Sequence, residues 1–180
     1  MAIPVWSSLT GDEKRARTLA AADDLFAREG LDVAMPVLAA AVGAGVGSIY
    51  RMVGAKEDVI AALVIERAQA LVRRFTDALR EDDAWAALSR ATLETAHDGA
   101  TDFLSQPAWD EAAALRPEVA EARAEATRAL EALVERARPV LRDDASHEDL
   151  RLVFMSVRGR TDPAGARRLA ELVLRGMRQN

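Results

Sequence analysis

Residues 34–58 read AMPVLAAAVGAGVGSIYRMVGAKED, and the fold of the chain turns on how this stretch divides. Gly43 closes a short segment that begins near Ala34, and Gly54 closes another that runs from about Gly47 to Val53. Two very short helices with a glycine-containing turn between them are the layout of a helix-turn-helix, whose second helix lies in the major groove of DNA. A longer helix precedes the pair. Thr10 and Glu13 have capping-box spacing, the pattern runs to Glu29 with Leu19, Ala22 and Phe26 on one face, and Gly30 stops it. These side chains are predicted to pack against Leu38, Val42, Ile49 and Val53.

Outward from this segment the sequence continues in helices, and no period-2 strand pattern is found. A long helix is predicted from Lys56 to about Arg80. Asp82 or Asp83 is placed to cap the next, which carries Trp85 and Leu88 and runs out near Gly99. A less regular piece holds Phe103, Leu104 and Trp109 and is interrupted by Pro107. Pro117 suits the first turn of a helix that reaches Arg138, and Pro139 stops it. Ser146 and Asp149 again have capping spacing ahead of Leu150, Val153, Phe154 and Val157. After a loop from Gly159 to Pro163, a last helix carries Leu169, Leu172, Val173 and Met177. The fold class is therefore all-α with about nine helices. The predicted division is a helix-turn-helix domain over 1–58 (helix-turn-helix about 34–53) and a helical domain over 59–180.

Composition narrows the function. Of the 180 residues, 50% are apolar and only 4% aromatic, which supports a packed helical core. The formal charge of −5 gives no global positive field, and the absence of cysteine removes disulfide scaffolds, zinc fingers and thiol nucleophiles. Val33 to Tyr50 is free of charge over 18 positions, but it is mostly alanine and glycine with Pro36 inside, so no membrane span is expected. Met1 to Thr10 lacks a basic stretch followed by an apolar one, and a cytoplasmic location is expected. Gly43, Gly45 and Gly47 follow no strand, which argues against a phosphate-cradling loop. His97 and His147 lie far apart near predicted helix ends, and the pairs Asp82-Asp83 and Asp143-Asp144 read as solvated caps. No catalytic residue, metal site or cofactor is expected, and the chain is not read as an enzyme.

The run from Arg15 through Phe26 to Gly30, then Leu38-Ala-Ala-Ala-Val-Gly43, Gly45-Val-Gly-Ser-Ile-Tyr50-Arg and Lys56-Glu-Asp, resembles the N-terminal domain of the TetR (tetracycline-repressor-like) transcriptional regulators over about residues 14–64. The single tyrosine of the chain and one of its two lysines fall on motif positions, Tyr50 and Lys56. The resemblance implies a repressor that binds operator DNA as a homodimer. It implies that Ser48 reaches a phosphate or base edge and that Val46 and Gly47 lie on the groove floor against a thymine methyl. It further implies that Tyr50 and Lys56 hold phosphates, with Arg51 available to a phosphate or a guanine. Val33 and Ala34 replace the family's usual threonines, Pro36 a polar residue, and Met52 an aromatic or histidine. Residues 1–60 carry six basic and eight acidic groups, so weak DNA binding with a shallow salt dependence is expected. A ligand-binding or protein-interaction dimer whose DNA-binding head has decayed is the alternative.

In the family the second domain encloses an effector. Here Phe75, Trp85, Phe103, Trp109 and Met155, with His97 as a polar group, are the candidate lining for a small hydrophobic ligand. The last two helices of the family pair with their twofold mates. Leu150, Val153, Phe154 and Val157, with Leu169, Leu172, Val173 and Met177, are the candidate dimer interface.

Overall fold

The computed structural model describes residues 6–179. Residues 1–5, half of the segment that lacks a leader pattern, and residue 180 lie outside the described residues. Among those described there are nine α-helices and no strand: α1 Gly11–Glu29, α2 Met35–Val42, α3 Val46–Val53, α4 Lys56–Ala78, α5 Ala84–Thr101, α6 Gln106–Leu115, α7 Pro117–Arg136, α8 His147–Val157 and α9 Pro163–Met177. The chain divides inside α4 into two compact units, residues 1–64 and 65–180.

In the first unit α1 opens on a complete capping box, in which the Thr10 N–H donates to Glu13 Oε2 at 2.8 Å. That bond holds the Glu13 carboxyl below the usual carboxylate range. Leu19, Ala22, Leu25 and Phe26 of α1 bury their side chains with Leu38, Ala39 and Val42 of α2 and Ile49 and Val53 of α3. Between α2 and α3 the chain bends by 101°, within the range of a helix-turn-helix. Gly43 makes the bend by adopting φ +72°, with its N–H donating to Ala40 O at 3.1 Å and that of Ala44 to Ala39 O at 2.9 Å. These two bonds satisfy the last carbonyls of α2. No single helix among the described residues is long and apolar enough to cross a membrane, and the uncharged stretch is bent in two by this turn.

Gly54 ends α3 at φ 79°, ψ −152°, a region populated almost only by glycine. A Cβ there would also collide with the Asp58 carboxylate, which accepts from the Ala55 N–H at 2.8 Å and caps α4. Gly54→Ala is therefore expected to lower stability by about 1–3 kcal/mol. Chemical denaturation of the purified variant checks this, and an unshifted midpoint would contradict it.

In the second unit α5 is the central helix. It buries Ala87, Leu88, Ala91, Thr92, Thr95, Ala96 and Ala100, a nearly all-small set. Its chief partner is α9, which presents Ala166, Ala170, Leu174 and Met177 as a stripe at helical spacing. Phe75 of α4 stacks on Phe154 of α8, with ring centroids 6.3 Å apart, and both are buried. The Arg136 guanidinium donates to the Ala78 and Glu81 carbonyls and so closes the C-terminal end of α4.

One sequence expectation is corrected here. Pro107 does not interrupt a helix; it lies in the first turn of α6, where its missing N–H costs nothing, and Phe103 and Leu104 precede the helix. The helix expected to run out near Gly99 is α5, which ends at Thr101.

Candidate nucleic-acid interface and buried cavity

The two faces of α3 differ sharply. Ile49 and Val53, one turn apart, are buried and fix the helix to its unit. Val46, Gly47, Tyr50 and Arg51 lie on the opposite side and are exposed, Tyr50 by 48%. The sequence thus presents one turn of apolar, glycyl, phenolic and guanidinium groups to solvent. The absence of a side chain on Gly47 leaves the backbone open to close approach. The Tyr50 hydroxyl has no hydrogen-bond partner among the described residues, nor Lys56 an ion-pair partner. Lys56 stands at the first residue of α4, where backbone N–H groups point outward. Arg51 Nη2 donates to Ser48 Oγ at 3.3 Å, so these two residues form one polar pair on the helix surface, and Ser48 is half-buried. Ala34, the N-cap of α2, makes no side-chain capping bond.

The second unit contains a cavity of about 270 Å³. Leu71 and Phe75 of α4, Trp109 of α6, and Phe154 and Met155 of α8 supply its apolar wall, and Arg123, Arg151 and Arg158 supply charge. Of the candidate lining residues, Phe75, Trp109 and Met155 meet here. Trp85, His97 and Phe103 do not. Trp85 lies under the Arg178 guanidinium at 5.2 Å from the ring centroid, and Phe103 lies under Arg67 at 5.0 Å. His97 faces solvent, so it supplies no polar group to the interior.

Arg158 is the unusual member of the cavity. Its guanidinium carbon sits 3.7 Å from the centroid of the Trp109 ring, and its Nε is buried without a hydrogen-bond partner among the described residues. Burial pushes this guanidinium down to about 10; the charges of Arg123 and Arg67 act in the same direction, while Asp102 and Asp110 oppose. It therefore remains cationic at neutral pH. The arginines of the cavity escape a sequence reading because the chain uses arginine for all but two of its 24 basic residues. The one available signal is the seven-residue spacing of Arg151 in α8 and Arg158, the residue that caps the C-terminus of that helix.

The candidate dimer residues also separate. Leu150, Val153, Phe154, Val157 and Met177 are buried inside the unit and pack its own core. The apolar face visible in their spacing is the one that meets the rest of the same chain. Val173 is half-buried against that core, while Leu169 and Leu172 remain 38% and 56% exposed. Leu152, 62% exposed, is a further apolar residue on α8 that the periodicity passes over. Among the described residues no group of three or more His, Cys, Asp or Glu side chains is placed to hold a metal.

Comparison with known proteins bears on both units. The family described as bacterial regulatory proteins, tetR family, matches residues 19–63. Among solved structures, the TetR transcriptional regulator SCO0520 from Streptomyces coelicolor is 27% identical, with a TM-score of 0.68 over 92% of this chain and 99% of its own. The fatty acid degradation regulator FadR from Bacillus halodurans is 18% identical, with a TM-score of 0.71 over 92% and 97% of the two chains. FadR from Bacillus subtilis, solved in complex with stearoyl-CoA, is 16% identical, with a TM-score of 0.70 over 90% and 98%. At these last two identities the likeness is one of fold. No curated protein matches in sequence.

Proposed function

We propose that this chain, which belongs to the tetR family of bacterial regulatory proteins, is a cytoplasmic one-component repressor and not an enzyme. It binds operator DNA as a homodimer through α2 and α3 and is released by a small hydrophobic ligand held in the second unit. The observation that carries this reading is the exposed face of α3, where Val46, Gly47, Tyr50 and Arg51 stand together at the end of a 101° bend. That face offers an apolar contact for a thymine methyl, and Tyr50 and Lys56 offer donors for phosphates on either side. Ser48 and Arg51 act as one unit, with Arg51 freed for DNA when its contact to Ser48 opens. Leu152, Leu169 and Leu172 on α8 and α9 provide the apolar surface through which two copies pair. Ligand and DNA favour different arrangements of the dimer, so each weakens binding of the other.

Fluorescence anisotropy on the chain's own upstream DNA against scrambled duplex, at two salt concentrations, tests the reading. Retention of the specific duplex at the higher salt is the expected result. Lys56→Ala should weaken binding to all sequences alike and reduce the salt slope by about one unit. An unchanged slope would make Lys56 a solvated helix-start residue.

A second reading is favoured by the uncapped Ala34 and by the two-charge acidic excess of residues 1–60. In it the chain is a ligand-binding or protein-interaction dimer whose head no longer reads DNA. Equal, feeble binding to both duplexes would select it.

A further inference from the structure

The charges around the cavity of the second unit do not cancel. Arg123 pairs with Asp110 at 3.0 Å, Arg151 with Glu148 at 2.8 Å, and Arg67 with Asp102 at 2.7 Å. Arg158 has no carboxylate at ion-pair distance among the described residues, so one cation is left over. A second donor stands beside it. Trp109 is 97% buried, and its indole Nε1 has no hydrogen-bond partner among the described residues. Buried N–H groups without an acceptor are rare in folded proteins, and the two residues that carry them here, Trp109 and Arg158, both border this cavity as one stacked pair. Stacking covers the face of a guanidinium and leaves its N–H edge free. A trapped water would accept one or both hydrogen bonds but would leave the charge uncompensated. An anion satisfies both donors and the charge at once.

We propose that this cavity is built for a small monoanionic amphiphile, an apolar carboxylic acid. Its carboxylate accepts from the Arg158 guanidinium and the Trp109 indole N–H, and its hydrocarbon part lies on Leu71, Phe75, Phe154 and Met155. The single uncompensated cation sets the ligand's charge at one. The volume of about 270 Å³ lies just below the range of roughly 300–1,000 Å³ usual for ligand sites, which sets its size as short-chain rather than long. The proposal deepens the ligand-release reading and rests on it only for what binding does to DNA.

Isothermal titration calorimetry of the full chain with octanoate, 1-octanol and inorganic phosphate tests the site without DNA. Octanoate is expected to bind at least about tenfold more tightly than the neutral alcohol, as a charge-assisted pair in a buried site requires, and phosphate alone should not bind. Arg158→Met should abolish the preference for the acid while keeping octanol binding and an unchanged or raised melting temperature, which shows the fold intact. Trp109→Phe keeps the ring and should reduce the preference by a smaller factor. Equal affinity for acid and alcohol, an unaffected acid preference in Arg158→Met, binding of phosphate alone, or no binding of octanoate would each overturn the proposal. Anisotropy on operator DNA separates the two readings. Octanoate that binds without releasing DNA would uphold the site and sink ligand release. DNA released by octanol with no preference for the acid would uphold the regulator and overturn the anionic site.

Discussion

Phe154→Ala is expected to lower the unfolding free energy by about 3–5 kcal/mol, the usual cost of removing a buried ring. Phe154 is 6% exposed and stacks on Phe75, itself 2% exposed, at a centroid distance of 6.3 Å. Its removal forfeits the burial of one ring and the stacking with the other. The site is also a poor candidate for collapse, because the ring lines the cavity and its space would merge with the existing 270 Å³. A large-to-small change costs most where the neighbours cannot close in. Urea unfolding should show a lower midpoint with an unchanged slope. A loss below about 1 kcal/mol would mean that the Phe75–Phe154 stack does not belong to the stabilising core.

Ile49→Ala is the second large effect, at about 2–5 kcal/mol, and it falls on the smaller unit. Ile49 is completely buried, and it is one of two side chains that fix α3 to α1 and α2. A unit of some 60 residues has little stability in reserve, so much of it would be lost. Hydrogen exchange should then show α2 and α3 deprotected while α5 and α9 keep their protection. Under the proposed function DNA affinity should fall as well, even though Ile49 faces away from the exposed side of α3. Tyr50→Phe is the contrasting control, since it removes a hydroxyl that makes no internal bond and should leave the exchange pattern unchanged. Equal deprotection of both units in Ile49→Ala would contradict the independence of their cores.

The first unit was highly legible because its boundaries are written in local chemistry. A capping box at Thr10 and glycines at positions 30, 43 and 54 depend on neighbours within a few residues, and those neighbours are visible in sequence. The second unit was legible in its helices but less so in its uses. Amphipathic spacing marks a face that leaves water, yet it does not say whether that face meets the same chain or another copy. Leu150, Val153, Phe154 and Val157 meet the core of their own chain, while exposed Leu152 lies off that periodic face. Aromatic residues carry the same ambiguity, since arginines cover Trp85 and Phe103 at positions far away in sequence. The cationic character of the cavity was hidden by abundance. With so many arginines on the surface, only three-dimensional pairing reveals that the cavity arginine Arg158 has no carboxylate at ion-pair distance among the described residues.

The alanine-lined crossing of α5 and α9 has a consequence for how this protein can change. Alanine has no side-chain rotamers to freeze, so the alanine positions of this seam are buried without the conformational entropy loss that Leu174 and Met177 bring. It also leaves no slack, because any larger side chain would force the two helices apart. Drift at those alanine positions is therefore confined to residues of about the same size, and the frame of the unit stays fixed. The cavity wall follows the opposite rule. Leu71 and Met155, close in volume, can exchange for one another at modest cost, so the shape of the cavity can be retuned over generations without disturbing the scaffold that holds it.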